Sequence, residues 1–594
     1  MKIKRRKDIE NLEYFDCIPL FLQKVLAHRG IRSMEQLDKR LQALVSYESL
    51  MDIDKAVIRL TEALQKAQRI LVVGDFDADG ATSTALAVSA LRTFGAPFVE
   101  YLVPNRFEYG YGLSPEIVKV AAQQNPELII TVDNGISSIE GVATANSLGI
   151  DVIVTDHHLA GEALPDACAI VNPNQPGDPF ESKAIAGVGV IFYVMMALRR
   201  HLVNIQWFSE RKISEPNMSQ FLDLVALGTV ADVVSLDQNN RILINQGLTR
   251  IRHGKVRPGI KALIKIAGRQ IETLRETDLG YAVAPRLNAA GRLDDMSLGI
   301  SCLLSETDHE AIQKAEALDA LNQERRSIEM EMKEQAYKFI EQLQEKIPSG
   351  GSLPLGLCLF DENWHQGVIG ILAGRLKEKF HRPAIIFAKV SEEEMKGSAR
   401  SVNGMNIRDV LADIDKNHPG LIKKFGGHAM AAGLSITPQA FEDFKSIFTT
   451  EVSKHIDHSQ CEGVIQSDGE LEPGYLSLEG AKLINEYGPW GQHFPEPCFD
   501  GIFEIIEQRI VGKNHLKLTL VHPENKKTFD AIAFNVDLQE WPNHRVSHIH
   551  IAYKLDINTY QGRSKVQLMV EALHPQRIEQ NVLEIHENFA EYSW

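Results

Sequence analysis

At 594 residues the chain is too long for one hydrophobic core and predicts three or four domains. A net charge of -16, with 44% apolar and 24% charged residues, is ordinary for a soluble globular protein. It excludes a generally basic nucleic-acid coat but leaves open a basic groove on an acidic body. No apolar stretch is long enough to span a bilayer, and the basic opening MKIKRRKDIENLEYF lacks the apolar core of a signal peptide. Six scattered cysteines (Cys17, Cys168, Cys302, Cys358, Cys461, Cys498) form no CxxC pair, so they read as reduced core residues of a cytosolic protein.

Residues 1–65 predict a helical cap, with helical apolar spacing in FLQKVLAHRG and DKAVIRLTEAL. From Ile70 short apolar runs alternate with helical stretches: ILVVGD, FVEYLVP, LIITVD and DVIVTDHH each follow or precede a helix-like segment. That alternation predicts a parallel sheet covered on both faces, with ligands at the carboxyl ends of its strands. Asp308 to Lys346 contains neither Gly nor Pro, and Leu321, Ile328, Met332, Ala336, Phe339 and Leu343 keep helical spacing. It predicts a long, solvated, amphipathic helix joining two lobes. IPSGGSLP marks a boundary, after which LGLCLF and AIIFAK begin a second α/β unit. Beyond about residue 455 five strand-like runs separated by turn residues match the strand count of an OB-type barrel.

The chemistry gathers where the apolar runs end. GDFDADG carries Asp75, Asp77 and Asp79; VDNG carries Asp133; TDHH carries Asp156, His157 and His158; and Asp232 follows the apolar run LVALGTVA, taken as a fourth strand end. Carboxylates and imidazoles delivered to neighbouring strand ends describe a divalent-metal site, with two metals sharing a carboxylate. GDFDADG also opens like a calcium loop, but position twelve is Leu86 where that loop needs Glu. A capped tight turn is its remaining structural alternative. GVGVIF (Gly187–Phe192) lacks the third glycine of a dinucleotide motif and is set aside. The glycines of HQGVIGILAGRL fit either a nucleic-acid channel wall or, more simply, helix–sheet packing. Arg106, Arg286 and Arg400 are candidates to grip phosphate in a bidentate fork. His428, in the glycine turn GGHAMAAG, fits a phosphate-facing or a packed role equally. In the β-rich segment Phe534, Tyr553 and Tyr560 could stack bases, with Lys517, Lys554, Arg563 and Lys565 along the backbone path.

In that order, GDFDADG, VDNG, TDHH and GTVADVV resemble the metal-binding motifs of the DHH phosphoesterase superfamily. YAVAPRLNAAGR, SARS and GGHAMAAG further resemble the RecJ-type single-strand-specific DNA exonucleases. The resemblance implies an α/β parallel-sheet DHH catalytic domain (66–305), a connecting helix (306–346) and a smaller α/β DHHA1 domain (347–455). A five-stranded OB-type β-barrel (456–575) and a tail (576–594) would follow. It implies Asp77, Asp79, Asp133, His157 and Asp232 as ligands of two Mn²⁺ or Mg²⁺ ions, with Asp133 bridging, and Asp75 and His158 supporting the ligands or touching the scissile phosphate. Mixed carboxylate and imidazole ligands favour Mn²⁺. Arg106, Arg286, Ser398 and Arg400 would line a pocket for a 5′-terminal phosphate, with Asn288 and His428 completing the substrate-binding set. The implied activity is a 5′→3′ exonuclease on single-stranded DNA that releases mononucleotides in recombination and repair. It would act as a cytoplasmic monomer alongside a helicase and a single-strand-binding protein. A small-substrate phosphoesterase, for cyclic dinucleotides or short oligonucleotides, and a catalytically silent DNA-binding scaffold are the alternatives.

Overall fold

The computed structural model describes residues 1–7, 9, 15, 17–105, 112–345, 347, 352–560 and 562–576. They form two units of internal contact. One comprises Met1–Met34, Gly463–Gly488 and the residues from Glu496; the other comprises Glu35–Glu462 with Pro489–Pro495. The chain opens with a strand, β1 (Lys2–Arg5), where a helical cap was expected. The cause lies far along the chain: Ile3 is the one apolar residue among four, and it packs on a small cluster of Cys498, Ala552 and Ala572 while its neighbours point to water or to acids. The two helices expected of this stretch do form, at Leu20–His28 and Ile53–Gln65. Cys302, Cys358, Cys461 and Cys498 are buried, whereas Cys17 and Cys168 are exposed rather than in the core, and all six are free.

In the larger unit, β2 (Ile70–Gly74), β3 (Val99–Leu102), β4 (Leu128–Val132), β5 (Asp151–Thr155) and β6 (Ala169–Val171) form a parallel sheet in the order β3-β2-β4-β5-β6. β2 and β4 are buried along their whole length, which is why they read as unbroken apolar runs. Alternate residues Leu71, Val73, Ile129, Val152 and Val154 meet Ile117, Val118 and Val142 of two helices on one face. The chain steps outward from β2 to β3, then returns to the other side of β2 to lay down β4. Strand order therefore reverses between β2 and β4, and the crevice at their carboxyl ends is where an open parallel sheet places a ligand. The first two acidic motifs follow those two strands.

The long helix is described over Asp308–Glu345, and the expected last residue, Lys346, lies outside the described residues. Its buried face is apolar at both ends but carries Asn322, Arg325 and Glu329 in the middle, while Leu321, Ile328 and Phe339 are only half-buried. Arg325 donates to Glu329 and to Asn322 (2.9 Å), and Arg375 of the helix Ile369–Phe380 donates to the other Glu329 oxygen (2.9 Å). The helix is thus bolted to the second lobe by an ionic cluster, buried at Arg325 and Glu329 and half-exposed at Arg375, rather than simply solvated. Removing one partner of such a cluster typically costs about 3–5 kcal/mol.

The second lobe is a five-stranded sheet in the order β10-β11-β9-β8-β7, from β7 (Leu357–Phe360), β8 (Ala384–Lys389), β9 (Met395–Arg400), β10 (Lys424–Gly427) and β11 (Ala431–Ile436). The helix Ile369–Phe380 crosses over between parallel β7 and β8 and buries Leu372, Ala373 and Leu376 with Met332, Ala336 and Ile340 of the long helix. Helix packing is therefore the role of HQGVIGILAGRL that the fold displays.

In the smaller unit, β13 (Phe499–Val511), β14 (His515–Val521), β15 (Thr528–Ala533), β16 (His548–Tyr560) and β17 (Arg563–Gln576) close into a barrel in the order β13-β14-β15-β17-β16. These are the five expected strands, and the fourth bends at a register shift between Ala552 and Tyr553. β12 (Val464–Ser467) pairs in parallel with β1. Two buried acids fasten that ribbon: Asp500 accepts from Arg5 (2.8 Å) and approaches His550 Nε2 (2.9 Å), while Asp468 accepts from Arg29 (2.6 Å).

Candidate metal centre

After β2 the chain turns through Asp75, Phe76 and Asp77 into the helix Ala78–Thr93. Asp77 is the N-cap: its Oδ1 accepts the N–H groups of Asp79 (2.9 Å) and Gly80 (3.0 Å). The capped turn and the candidate ligand are the same residue. Gly80 is required, because a Cβ there would lie 2.5 Å from the Asp75 carbonyl oxygen. Asp79 is buried, and its carboxylate accepts the N–H groups of Gly187 (2.7 Å) and Val188 (3.0 Å) at the start of the helix Gly187–Asn204. A helix N-terminus suits an anion. A Cβ at Gly187 would lie 2.7 Å from Asp133 Oδ1, and one at Gly228 would lie 2.8 Å from Asp79 Oδ1. GVGVIF, set aside as a nucleotide motif, is therefore what lets this helix approach the acids. Its signal in the sequence was a glycine pair opening a buried helix.

Asp133 follows β4 in a left-handed conformation (φ 61°), which Asp tolerates better than most residues, and its N–H donates to the Thr155 carbonyl (3.1 Å). Asp156 follows β5 and acts as a clamp. Its Oδ1 accepts the N–H groups of His157 (2.7 Å) and His158 (3.1 Å) and contacts His158 Nδ1 (2.7 Å), while Oδ2 accepts from Ile136 (2.9 Å). Asn172 and Asn174 hold the carbonyls of His158 (2.9 Å) and His157 (2.6 Å), a support that no motif announced. Asp232 does not end a strand. It is the C-cap of the helix Leu222–Ala231, whose residues Leu222–Thr229 are all buried. A short, wholly apolar run cannot be told from a strand by periodicity. The negative end of that helix adds to the attraction for a cation.

These pieces converge. His157 Nε2 lies 3.1 Å from Asp133 Oδ1, 3.6 Å from Asp232 Oδ2 and 4.0 Å from Asp79 Oδ2. Asp79, His157 and Asp232 bring ligand atoms within 4.8 Å of one another, as do Asp75, Asp77 and Asp133, and Asp133 with both histidines. Burial and the charge of Asp77 push the Asp79 carboxyl up to about 7. Burial and the surrounding acids raise Asp133 and Asp232 well above the carboxylate range. Burial and the charge of His158 lower His157 to about 4, which keeps it neutral. Its Nε2 is buried and makes no hydrogen bond among the described residues. For His158, burial is outweighed by the hydrogen bond and charge of Asp156, which raise it to about 9. One imidazole is therefore a neutral donor and the other a held cation. Crowded, desolvated carboxylates around a neutral imidazole nitrogen fit divalent cations.

The second lobe contributes at the rim. The His428 ring stacks on that of His158, with centroids 6.1 Å apart and planes at 16°. Ser398 and Arg400 share the half-buried face of β9; Arg400 donates to Ser398 Oγ (3.2 Å) and to the Ala399 carbonyl (2.8 Å). They face the start of the helix Ile369–Phe380, where a Cβ on Gly370 would lie 3.0 Å from Arg400 Nη2. Asn288 sits beneath the first motif, accepting the Ala78 N–H (2.8 Å). Arg286 is buried with Nε 2.8 Å from Asp319 of the long helix, an approach not angled as a hydrogen bond. Arg106 lies outside the described residues.

On the barrel, Tyr553 does not face outward. It is buried against Phe499 and Phe503 in the interior and cannot stack a base there. Phe534 is half-exposed, with the His515 ring edge-on at 4.9 Å. Lys554 is paired with Glu571 (3.2 Å), Arg563 and Lys565 are exposed, and the Tyr560 side chain lies outside the described residues.

Three family descriptions match the chain: the DHH family N-terminal domain over 69–229, the DHHA1 domain over 354–454 and the RecJ OB domain over 467–572. The single-stranded-DNA-specific exonuclease RecJ of Dickeya dadantii is 53% identical over 571 residues, covering 96% of this chain and 99% of that protein. Its namesake from Escherichia coli is 50% identical, covering 97% and 99%. A crystal structure of RecJ in complex with Mn²⁺ from Thermus thermophilus superposes with a TM-score of 0.76 at 28% identity, over 94% of this chain and 76% of that one. Three matching domains in one order, with relatives at half identity along nearly the whole length, place the chain in the RecJ family of the DHH phosphoesterases.

Proposed function

We propose that this chain is a single-stranded-DNA-specific exonuclease that works 5′→3′, releases mononucleotides by metal-dependent phosphodiester hydrolysis, and serves DNA recombination and repair. The observation that carries the proposal is the convergence of Asp79, Asp133 and Asp232 on the buried Nε2 of His157, with Asp75 and Asp77 gathered beside the same Asp133. Asp79, His157 and Asp232 would hold one Mn²⁺ or Mg²⁺ ion and Asp75, Asp77 and Asp133 a second, with Asp133 shared. When bound, the pair supplies charge neutralisation of the phosphodiester and a lowered pKa for the attacking water.

The chain's own residues do the rest. Asp156 fixes the two histidines by holding both backbone N–H groups and one ring, so the imidazoles are oriented before substrate arrives. Protonated His158, with His428 stacked on it, offers a positive edge to a phosphate oxygen. Burial lowers Arg400, and no acid pairs with it among the described residues, so its guanidinium and Ser398 form a ready seat for a terminal phosphate beside the start of a helix. Such a seat accounts for attack from one end. We further propose that the enzyme works as a cytoplasmic monomer with a helicase and a single-strand-binding protein.

The test is release of labelled nucleotide from end-labelled single strands in Mn²⁺, with Asp133→Ala beside the unaltered protein. Loss of a shared ligand should lower kcat by on the order of 10³-fold or more, the scale of several kcal/mol of charge stabilisation. Release by both proteins alike would remove the site assignment. A dinucleotide cleaved faster than a long strand would favour a small-substrate enzyme.

A further inference from the structure

Tyr281 is 80% exposed, more than any other large apolar or aromatic side chain among the described residues. It stands in a π-helical turn, Leu279–Val283, set directly before the helix Ala284–Leu293 that carries Arg286 and Asn288. Such turns are rare and recur at functional sites. This one is held against the end of the helix capped by Asp232: a Cβ on Gly280 would lie 3.2 Å from Val230 Cγ1. Leu279, Ala282 and Val283 are buried, so the turn is anchored without the tyrosine ring. Among the described residues no second ring and no cation covers it, whereas Phe98, another exposed aromatic of this unit, has the Arg69 guanidinium 5.0 Å above its face. Val233, the residue after Asp232, and Leu159, the residue after His158, are exposed as well. Apolar side chains thus stand in water beside segments that carry the acids and imidazoles.

An isolated exposed tyrosine needs no explanation. One presented on a wide turn, packed by its neighbours against a metal-ligand helix, matches the chemistry of a base-stacking surface. We propose that Tyr281 is the stacking platform for a nucleobase of the single strand where it enters the metal centre. The inference rests on the nuclease reading above and adds how the strand is seated. Every base has a π-face, so the platform reads no sequence; it takes only bases that are free to leave their neighbours, which disfavours duplex.

The experiment compares the full chain with Tyr281→Ala and Tyr281→Phe on 5′-phosphorylated single strands carrying one abasic site, moved one nucleotide at a time from the end. Cleavage is followed in Mn²⁺ and binding by fluorescence anisotropy in EDTA; thermal melts confirm that the variants fold. Loss of one stack, about 1–3 kcal/mol, predicts a KM roughly 5- to 150-fold higher for Tyr281→Ala, with kcat changed far less and Tyr281→Phe close to the unaltered protein. An abasic site at one particular position should weaken binding by the unaltered protein and make no difference to Tyr281→Ala. If Tyr281→Ala keeps the same KM and the same abasic penalty while strands are cleaved, the platform is wrong and the nuclease reading stands. If strands bind with a Tyr281-dependent abasic penalty but are never cleaved, the platform stands and the nuclease reading falls. Neither binding nor cleavage by the unaltered protein overturns both.

Discussion

In the catalytic lobe the candidate site residues are charged, buried and crowded; on the barrel the candidate strand-binding cations are half-buried or exposed, and spread. Three carboxylates converge on His157 Nε2 and two more gather beside Asp133, whereas Arg563 and Lys565 stand in water and Lys554 leans on Glu571. Confining charges out of solvent is expensive unless a counter-charge arrives, so the first arrangement is intelligible only as a cation site. Solvated lysines cost little to keep, and their effect on a polyanion is a field summed over many weak contacts. A single change in the first region should therefore alter chemistry, and in the second only affinity.

After loss of a shared ligand, the largest effect should come from the clamp. Asp156→Asn keeps the shape but gives up the charge that holds His158 protonated and both histidines in place. Loss of such a support typically costs about 10–100-fold in metal affinity or activity. Mn²⁺ titration and kcat, measured on the same preparation, check it. An unchanged Mn²⁺ affinity and kcat would mean that the histidines are positioned by Asn172 and Asn174 alone.

Next in size is the end seat. Arg400→Ala should lower kcat/KM on 5′-phosphorylated strands about 10-fold or more, the scale of a hydrogen bond to a charged group, and spare 5′-hydroxyl strands. Equal losses on both ends would return Arg400 to a purely structural role beside the start of its helix.

The crowded acids also predict a pH dependence that the barrel does not share. Asp79 binds its proton more tightly in the folded protein than in the unfolded chain. In the metal-free protein its contribution to stability is therefore full below the ordinary carboxyl range and is lost as pH climbs through about 7. Metal must displace that proton, so Mn²⁺ affinity should rise about tenfold per pH unit for each proton released, until pH passes about 7. Calorimetry in two buffers of different ionisation enthalpy reads the proton count. A pH-independent affinity would show that the acids are already ionised.

The same contrast explains what could be read before the structure was known. Asp75, Asp77, Asp79, Asp133 and His157 were legible because a charged residue after a buried strand is out of place unless it has a task. Asp232 was legible as a member of the cluster but misplaced on a strand, since a buried helix of ten residues and a buried strand look alike in hydropathy. Gly187, Gly228, Asn172 and Asn174 were not legible, because close approach and carbonyl holding come from residues distant in sequence. β1 was missed because its pairing partner, β12, lies more than four hundred residues away. On the barrel, alternation separates inside from outside only if the register is known, and the shift at Ala552/Tyr553 sends Tyr553 inward.

The smallest effects should lie on the barrel, and they sharpen the contrast most. Lys517 faces Arg509 on β13 and Ile532 on β15 across the outer surface, and no acid pairs with it among the described residues. Lys554 is already neutralised by Glu571. If strand binding here is a summed field, Lys517→Ala should weaken single-strand affinity only a few-fold and reduce the slope of log K against log salt by about 0.7, the value for one phosphate on a single strand. Lys554→Ala should change that slope by less, because no net counterion release depends on a lysine that an acid already holds. Tyr553→Ala should leave the slope alone and instead cost about 3–5 kcal/mol of stability, as loss of a buried aromatic does. Anisotropy at several salt concentrations, with denaturant melts of the same variants, separates the three. A slope change for Tyr553→Ala as large as that for Lys517→Ala would mean that the barrel binds its strand through its inner surface, and that its exposed lysines are incidental.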